Sequence, residues 1–258
     1  MAGRVLVTGA ASGLGAATVS VLKRRGWTVA GLDIAPSTRQ CDVAVRADVT
    51  DEEAVNAAVG EVAERLVGLD AAVNAAGVLI DSVTPIGELD LETVARTLDV
   101  NLVGAFLVSR AVLPWLIESN GSIVLIASCA ANAPQSGGAA YAMSKAGVLS
   151  LARSIALEYA RFGVRANSVS PGYMDTPMAA PVMQSPTFRQ SVEHSIPMGR
   201  AARPEEIAEL VAWLSSDEAS YLTGQDIVID GGKILTPYSS TEYTERLWAH
   251  REATEEAR

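Results

Sequence analysis

Short, uniformly apolar runs alternate with longer stretches of helical periodicity along the chain. Arg4 to Val7, Thr28 to Leu32, Val43 to Ala47 and Leu69 to Val73 read as strands, while Leu14 to Arg25 and Asp51 to Leu66 carry apolar residues at helical spacing. The alternation continues beyond Leu89. An amphipathic stretch to Ile117 is followed by the run Ser122 to Ala127, a helix from Ala139 to Phe162, the run Val164 to Val169, a helix from Pro204 to Leu214 and a last strand Gln225 to Ile229. Strands this uniformly apolar are buried on both faces, which predicts an α/β fold with one doubly wound parallel sheet flanked by helices.

Local signals mark where elements begin and end. Thr50 followed by Glu53 predicts a capping box before the second helix, and Pro204 stands where a first helical residue would. Only Ile34 to Asp42 separate the second run from the third, too few for a full crossover helix, so a loop or single turn is expected there. Between Pro171 and Arg203, Pro177, Pro181, Pro186 and Pro197 break any long element, and Met174, Met178, Met183, Phe188 and Met198 supply apolar side chains. The loop 173–203 reads either as a lid or binding segment, or as a surface excursion packed on its own domain. Residues 1–232 read as a single domain and 233–258 as a C-terminal extension. Mixed charges at 241–257, with Tyr243, Leu247 and Trp248, read as a short amphipathic helix that packs on a neighbouring subunit, or as a solvent-exposed tail.

Composition narrows the partners. The 258 residues are 49% apolar and 19% charged, with 20 Lys and Arg against 30 Asp and Glu, a formal net charge of −10. Such a chain buries a sizeable core and repels phosphate backbones and anionic lipid, so a small-molecule substrate is favoured over nucleic acid or membrane. Gly, Ser, Asn or a charge interrupts every run before it reaches the roughly 18 apolar residues of a bilayer span. The cluster Lys23, Arg24, Arg25 follows the apolar stretch 5–22 instead of preceding it, unlike a signal sequence. Cys41 and Cys129 lack C-x-x-C spacing and fit a reducing, cytoplasmic setting. His194 and His250 have no partners at metal spacing, so no metal site is expected.

The first strand ends in Thr8-Gly9-Ala10-Ala11-Ser12-Gly13-Leu14-Gly15, and a helix follows at once. Gly9 permits a tight turn, while Gly13 and Gly15 let backbone approach a pyrophosphate at the helix N-terminus. Asp33 stands 18 residues past Gly15 at the end of the second strand. A carboxylate there accepts bonds from both ribose hydroxyls and repels a 2′-phosphate, which predicts a Rossmann-type site for NAD in preference to NADP. Asp48-Val49 and Asn74-Ala75-Ala76-Gly77 end the third and fourth strands at the same crevice. Asp48 reads equally as an adenine contact and as a helix cap.

Tyr141 and Lys145, at i and i+4, project from one helix face, where an ammonium lowers a phenol's pKa and makes it a usable general acid or base. Ser128, 13 residues earlier at the end of the apolar run, is placed to bond a substrate oxygen. A serine or cysteine hydrolase using Ser128 or Cys129 is disfavoured, because Gly-x-Ser-x-Gly is absent and histidine is scarce.

With these residues in view, the sequence from 3 to 232 resembles the short-chain dehydrogenase/reductase family, of the NAD-preferring type with about the length of this chain. The resemblance rests on Thr8 to Gly15, Asp33, Asp48, Asn74 to Gly77, Asn101, Ser128, Tyr141, Lys145, Pro171-Gly172, Thr176 and Asp230-Gly231-Gly232. It implies a tetrad in which Tyr141 is the acid/base, Lys145 binds the nicotinamide ribose, Ser128 holds the substrate oxygen and Asn101 keeps a water in a proton relay. It further implies that Pro171, Gly172, Met174 and Thr176 orient the nicotinamide carboxamide, and that long helices at 90–118 and 139–162 build a homotetramer. The activity implied is hydride transfer between NAD and a secondary alcohol or ketone.

Some features depart from the family pattern. Ala75 stands where Asn is commoner, and Met174 where Ile or Val is. The short Asp33 to Val43 connection and the phrase Ala127-Ser128-Cys129-Ala130-Ala131 resemble members that oxidise cyclic dihydrodiols, such as 2,3-dihydro-2,3-dihydroxybenzoate dehydrogenases. A carboxylated substrate wants a cation, yet no Arg or Lys lies between Ser128 and Tyr141. Gln135 is there instead and reads as a contact to a neutral hydroxyl or carbonyl, or as an exposed loop amide. Met178 joins Ser128, Gln135 and Tyr141 as a substrate-side candidate. A non-catalytic NAD-binding sensor or scaffold is the alternative of another class.

Overall fold

The computed structural model describes residues 3–35, 40–180 and 185–235. Seven strands form one sheet: β1 (Arg4–Thr8), β2 (Thr28–Asp33), β3 (Val43–Arg46), β4 (Ala71–Asn74), β5 (Ser122–Ile126), β6 (Arg165–Pro171) and β7 (Asp226–Ile229). They lie in the order β3-β2-β1-β4-β5-β6-β7, every pair parallel. The order reverses between β1 and β4, the switch point at which an open α/β sheet forms a ligand crevice.

Helices cover both faces, as the uniformly apolar strands require. On one face, α2 (Glu52–Leu66), α4 (Gly104–Ser119) and α5 (Ala139–Tyr159) pack on Leu6, Leu32, Ile123 and Leu125. On the other, α1 (Gly13–Arg24) and α7 (Pro204–Ser215) pack on Val5, Val7, Val73 and Val124. Along β1, Val5 and Val7 thus enter one core while Leu6 enters the other, the period of two that a strand imposes.

Four expectations change. The cap of α2 is Asp51, whose carboxylate accepts from Ala54 N at 3.0 Å, because the Thr50 hydroxyl is spent on Asp48 Oδ1 at 2.8 Å. The amphipathic stretch after Leu89 is α3 (Leu91–Leu98) running into α4 through a π-helical turn at Asp99–Val103. This continuous 29-residue helix, Leu91–Ser119, is long and apolar enough by length and composition to cross a bilayer, against the sequence expectation. Half of its most apolar window is buried inside the fold, as for a core helix. Finally, the segment 173–203 holds a helix, α6 (Pro186–His194), with Pro186 at its first position, where no N–H is needed.

Val192 of α6 and Ile196 are buried and pack with Tyr173, Ala179 and Ala201 into a small core of their own. Residues 36–39 of the Asp33–Val43 connection, Met183, the side chain of Phe188 and the extension beyond Leu235 lie outside the described residues.

Candidate active site

The C-terminal strand ends open into a cavity of ≈ 380 Å³. The β1–α1 turn forms its floor. Gly9 and Gly13 adopt φ of +67° and +52°, conformations side chains resist, and a Cβ on Gly15 would lie 2.0 Å from the Gly9 carbonyl oxygen. Ser12, the N-cap of α1, makes no side-chain cap bond, and the first turn carries no acidic residue. By contrast α2 and α3 begin with aspartate caps and acidic first turns. The N-terminal dipole of α1 therefore stays uncompensated at the cavity, the arrangement that favours an anionic group.

Asp33 is held by both oxygens: Oδ2 accepts from Ala11 N and Oδ1 from Ala35 N, each at 2.9 Å. That fixes the carboxylate between the glycine turn and the end of β2, beside the cavity it lines with Ile34. Asp48 also lines the cavity while its Oδ1 accepts from Thr50 N and Thr50 Oγ1, so turn and wall are the same residue. Ser12, Leu14, Val49, Ala75 and Gly77 line it as expected, and so do Pro171, Gly172, Met174 and Thr176.

Two of the cofactor and tetrad candidates do not line it. Asn74 is buried; it accepts from Thr8 Oγ1 at 3.1 Å and donates to Ala105 O at 2.9 Å, tying β1, β4 and α4 together. Thr8 Oγ1 in turn accepts from Ala75 N and Ala76 N, both at 3.1 Å, which sets the wall next to Gly9. Asn101, 1% exposed within the π-helical turn, accepts from Val78 N at 2.7 Å and donates to Val78 O at 2.9 Å and Ser144 Oγ at 3.1 Å. Its side chain couples the loop after β4 to the first turns of α5. Asn74 and Asn101 thus position the site without bordering it.

Ser128, Tyr141 and Lys145 meet in the cavity wall. Ser128 follows β5 and caps the short turn Cys129–Ala131, accepting from Ala130 N at 3.2 Å. Lys145 is buried; its Nζ donates to Ile126 O at 2.8 Å and lies 5.7 Å from the centroid of the Tyr141 ring. Burial pushes its pKa down to about 8. Burial likewise pushes the Tyr141 phenol up to about 12, with the Ser128 hydroxyl pulling the other way. The net shift of the tyrosine is upward because desolvation dominates, and the hydrogen bond of the Lys145 ammonium goes to a carbonyl.

A second cavity, of ≈ 230 Å³, shares Ser128, Tyr141, Met174 and Met178 with the first. Gln135 lines it, as do Tyr173, Leu79, Ser82 and Cys129, which sequence reasoning left out of the site. The Cys129 thiol is pushed up to about 11 by burial and then by Asp230, so it stays protonated and a poor nucleophile. The first cavity adds Val78, Arg96 and Val100. Arg96 and Val100 stand at i and i+4 just before Asn101, a spacing that marks one helix face but not what that face borders. Among the described residues no group of three His, Cys, Asp or Glu comes together for a metal.

A family model described as enoyl-(acyl carrier protein) reductase matches residues 9–233. The chain is 38% identical over 240 residues to cis-4-hydroxycyclohexanecarboxylate dehydrogenase of Sinomonas cyclohexanicum, covering 88% of this chain and 94% of the relative. It is 41% identical over 245 residues to 2,3-dihydro-2,3-dihydroxybenzoate dehydrogenase of Escherichia coli K12, covering 90% and 96%. A solved levodione reductase superposes with a TM-score of 0.86 at 31% identity, over 91% of this chain and 98% of that one. Fold, crevice and relatives agree: the chain belongs to the short-chain dehydrogenase/reductase family, oxidoreductases acting on CH–OH groups with a nicotinamide cofactor.

Proposed function

We propose that the protein is an NAD-dependent dehydrogenase of cyclic secondary alcohols, or equally a reductase of the matching ketones. The observation that carries this is the meeting of Ser128 and Tyr141 where the two cavities join, with Lys145 beside them in the first, one cavity floored by the glycine turn and the other mainly apolar. The first cavity fits a dinucleotide: a glycine cradle that Cβ atoms would obstruct, an uncompensated helix N-terminus for a pyrophosphate, and a fixed carboxylate for a ribose. Nicotinamide, when bound, supplies hydride or takes it up. Ser128 and Tyr141 hold the substrate oxygen. Tyr141 gives that oxygen a proton as a ketone is reduced and takes it back as an alcohol is oxidised. Lys145 adds positive charge beside the phenol, and Asn101 keeps the start of α5 in register with the loop after β4.

Asp33 supports NAD over NADP, since backbone N–H groups hold both its oxygens at the end of β2 and a carboxylate there would repel a 2′-phosphate. Relatives named for a hydroxycyclohexanecarboxylate and a dihydrodihydroxybenzoate support a ring substrate. Exposed Val103 and Phe106 before and on α4, with Met143 and Leu157 on α5, support a homo-oligomer, a tetramer on the family pattern, formed through these helices. Neither Cys41 nor Cys129 is in a disulfide, which suits a reducing, cytoplasmic setting.

The test follows reduced-nicotinamide absorbance with NAD and NADP over cyclic and linear secondary alcohols. NAD alone should be reduced, and Tyr141→Phe should lower turnover by about 10³-fold while NADH still binds. Equal use of NADP would overturn the cofactor assignment, and substantial activity in Tyr141→Phe the role of the tyrosine. NADH binding with no turnover of any alcohol would point to a sensor or scaffold.

A further inference from the structure

The walls of the second cavity are more selective than the reading above requires, and the inference here rests on that reading. Two polar side chains face each other from different segments: Gln135, in the loop between Ser128 and α5, and Tyr173, just after β6. Tyr173 Oη donates to Gln135 Oε1 at 2.6 Å, a bond at the exposed rim of the cavity. In this arrangement the amide oxygen faces the tyrosine, and Nε2, with no hydrogen-bond partner among the described residues, is left as a donor. Tyr173 is itself held by packing on Val192 and Ile196. The clasp is therefore anchored to the small core around α6.

The remaining described lining is apolar or neutral: Leu79, Cys129, Ala130, Met178 and Ala179, with the hydroxyls of Ser82 and Ser136. No described lining residue is ionised. The nearby charges felt at Cys129 are those of Asp230 and Lys233, and the carboxylate outweighs the ammonium. A carboxylate on the substrate would give up water here without meeting a cation among the described lining residues, a cost that a neutral oxygen avoids.

We propose that the substrate is a neutral ring alcohol or ketone carrying a second uncharged oxygen, which accepts a hydrogen bond from Gln135 Nε2. Gln135 is then a specificity-determining residue, and Tyr173 a positioning residue that acts through it. The ring is shared with the named relatives; the carboxylate is not.

The experiment compares cyclohexanol, the cyclohexane-1,2-, 1,3- and 1,4-diols and cis-4-hydroxycyclohexanecarboxylate as substrates with NAD. In the wild type the best diol should exceed both cyclohexanol and the carboxylate in kcat/KM by about fivefold or more, the factor one neutral hydrogen bond provides. Gln135→Leu should remove most of the diol-to-cyclohexanol ratio. Tyr173→Phe should reduce that ratio mainly through KM, since the amide remains but is no longer held. Gln135→Arg should turn the preference toward the carboxylate, a change that a merely structural role for Gln135 would not produce. Wild-type preference for the carboxylate, or a ratio untouched by Gln135→Leu, overturns the inference while leaving the dehydrogenase reading intact. No NAD reduction with any of these compounds overturns both.

Discussion

Lys145 is a buried ammonium whose hydrogen bond goes to a neutral carbonyl, so its charge is paid for in the folded state by desolvation. Its folded pKa of about 8 lies below the model-compound value of 10.5. Between those values the unfolded chain binds more protons than the folded one, so this group makes stability rise with pH across the window, its full cost being present below pH 8. Tyr141 has the opposite sign: raised from 10.0 to about 12, it contributes stability that is whole below pH 10 and lost as pH rises through 12. Lys145→Met should accordingly gain on the wild type at neutral pH and lose that advantage as pH approaches 10, measured by urea unfolding without cofactor. A difference flat in pH would mean that the ammonium is not desolvated. Tyr141, Lys145 and Ser128 were legible in sequence because their spacing is local. The direction of the tyrosine shift was not, because it comes from burial by distant segments, and the inward turn of Asn74 and Asn101 escaped for the same reason.

At the scale of elements, apolar runs and helical periodicity located every strand and nearly every helix to within a few residues, because burial on both faces leaves strands no polar positions. Two kinds of detail escaped. Asp51 displaced Thr50 as the cap because Asp48 had already engaged the threonine hydroxyl. The π-helical turn at Asp99–Val103 carries no local sequence mark, yet it lies where Asn101 reaches Val78 and Ser144. A further consequence lies at the end of α2, where Val67 adopts the left-handed conformation, φ 59° and ψ 48°, while 80% exposed. A β-branched residue is disfavoured there and asparagine tolerates it. Val67→Asn should stabilise the protein by about 1 kcal/mol, read as a higher urea midpoint with unchanged slope, and a destabilised variant would count against this account.

For the whole molecule, the sheet order brings the turns after β1, β2, β4, β5 and β6 to one edge, so residues far apart in sequence share two adjoining cavities. The same packing leaves an apolar stripe outside it. Phe106 is 46% exposed with the Arg110 guanidinium 5.5 Å from its ring, and Met143 and Leu157 lie about four turns apart on α5. Light scattering should find a homo-oligomer, and Phe106→Glu should shift it toward smaller species by placing an unpaired charge in the contact. A wild-type monomer would overturn the proposed assembly.

The sequence by itself determined the strands and most of the helices, the parallel α/β class and the three side chains that meet in the cavity wall, since each depends on periodicity or on neighbours within a few residues. Only the tertiary structure decided that Asn74 and Asn101 position rather than border the site, that burial governs Tyr141 and Lys145, and that Gln135 meets Tyr173. Those outcomes turn on solvent exclusion and on contacts between segments 23 to 66 residues apart, such as Asn74 with Thr8, Asn101 with Val78 and with Ser144, and Tyr173 with Gln135. No local pattern encodes such meetings, because the packing of the intervening elements sets them.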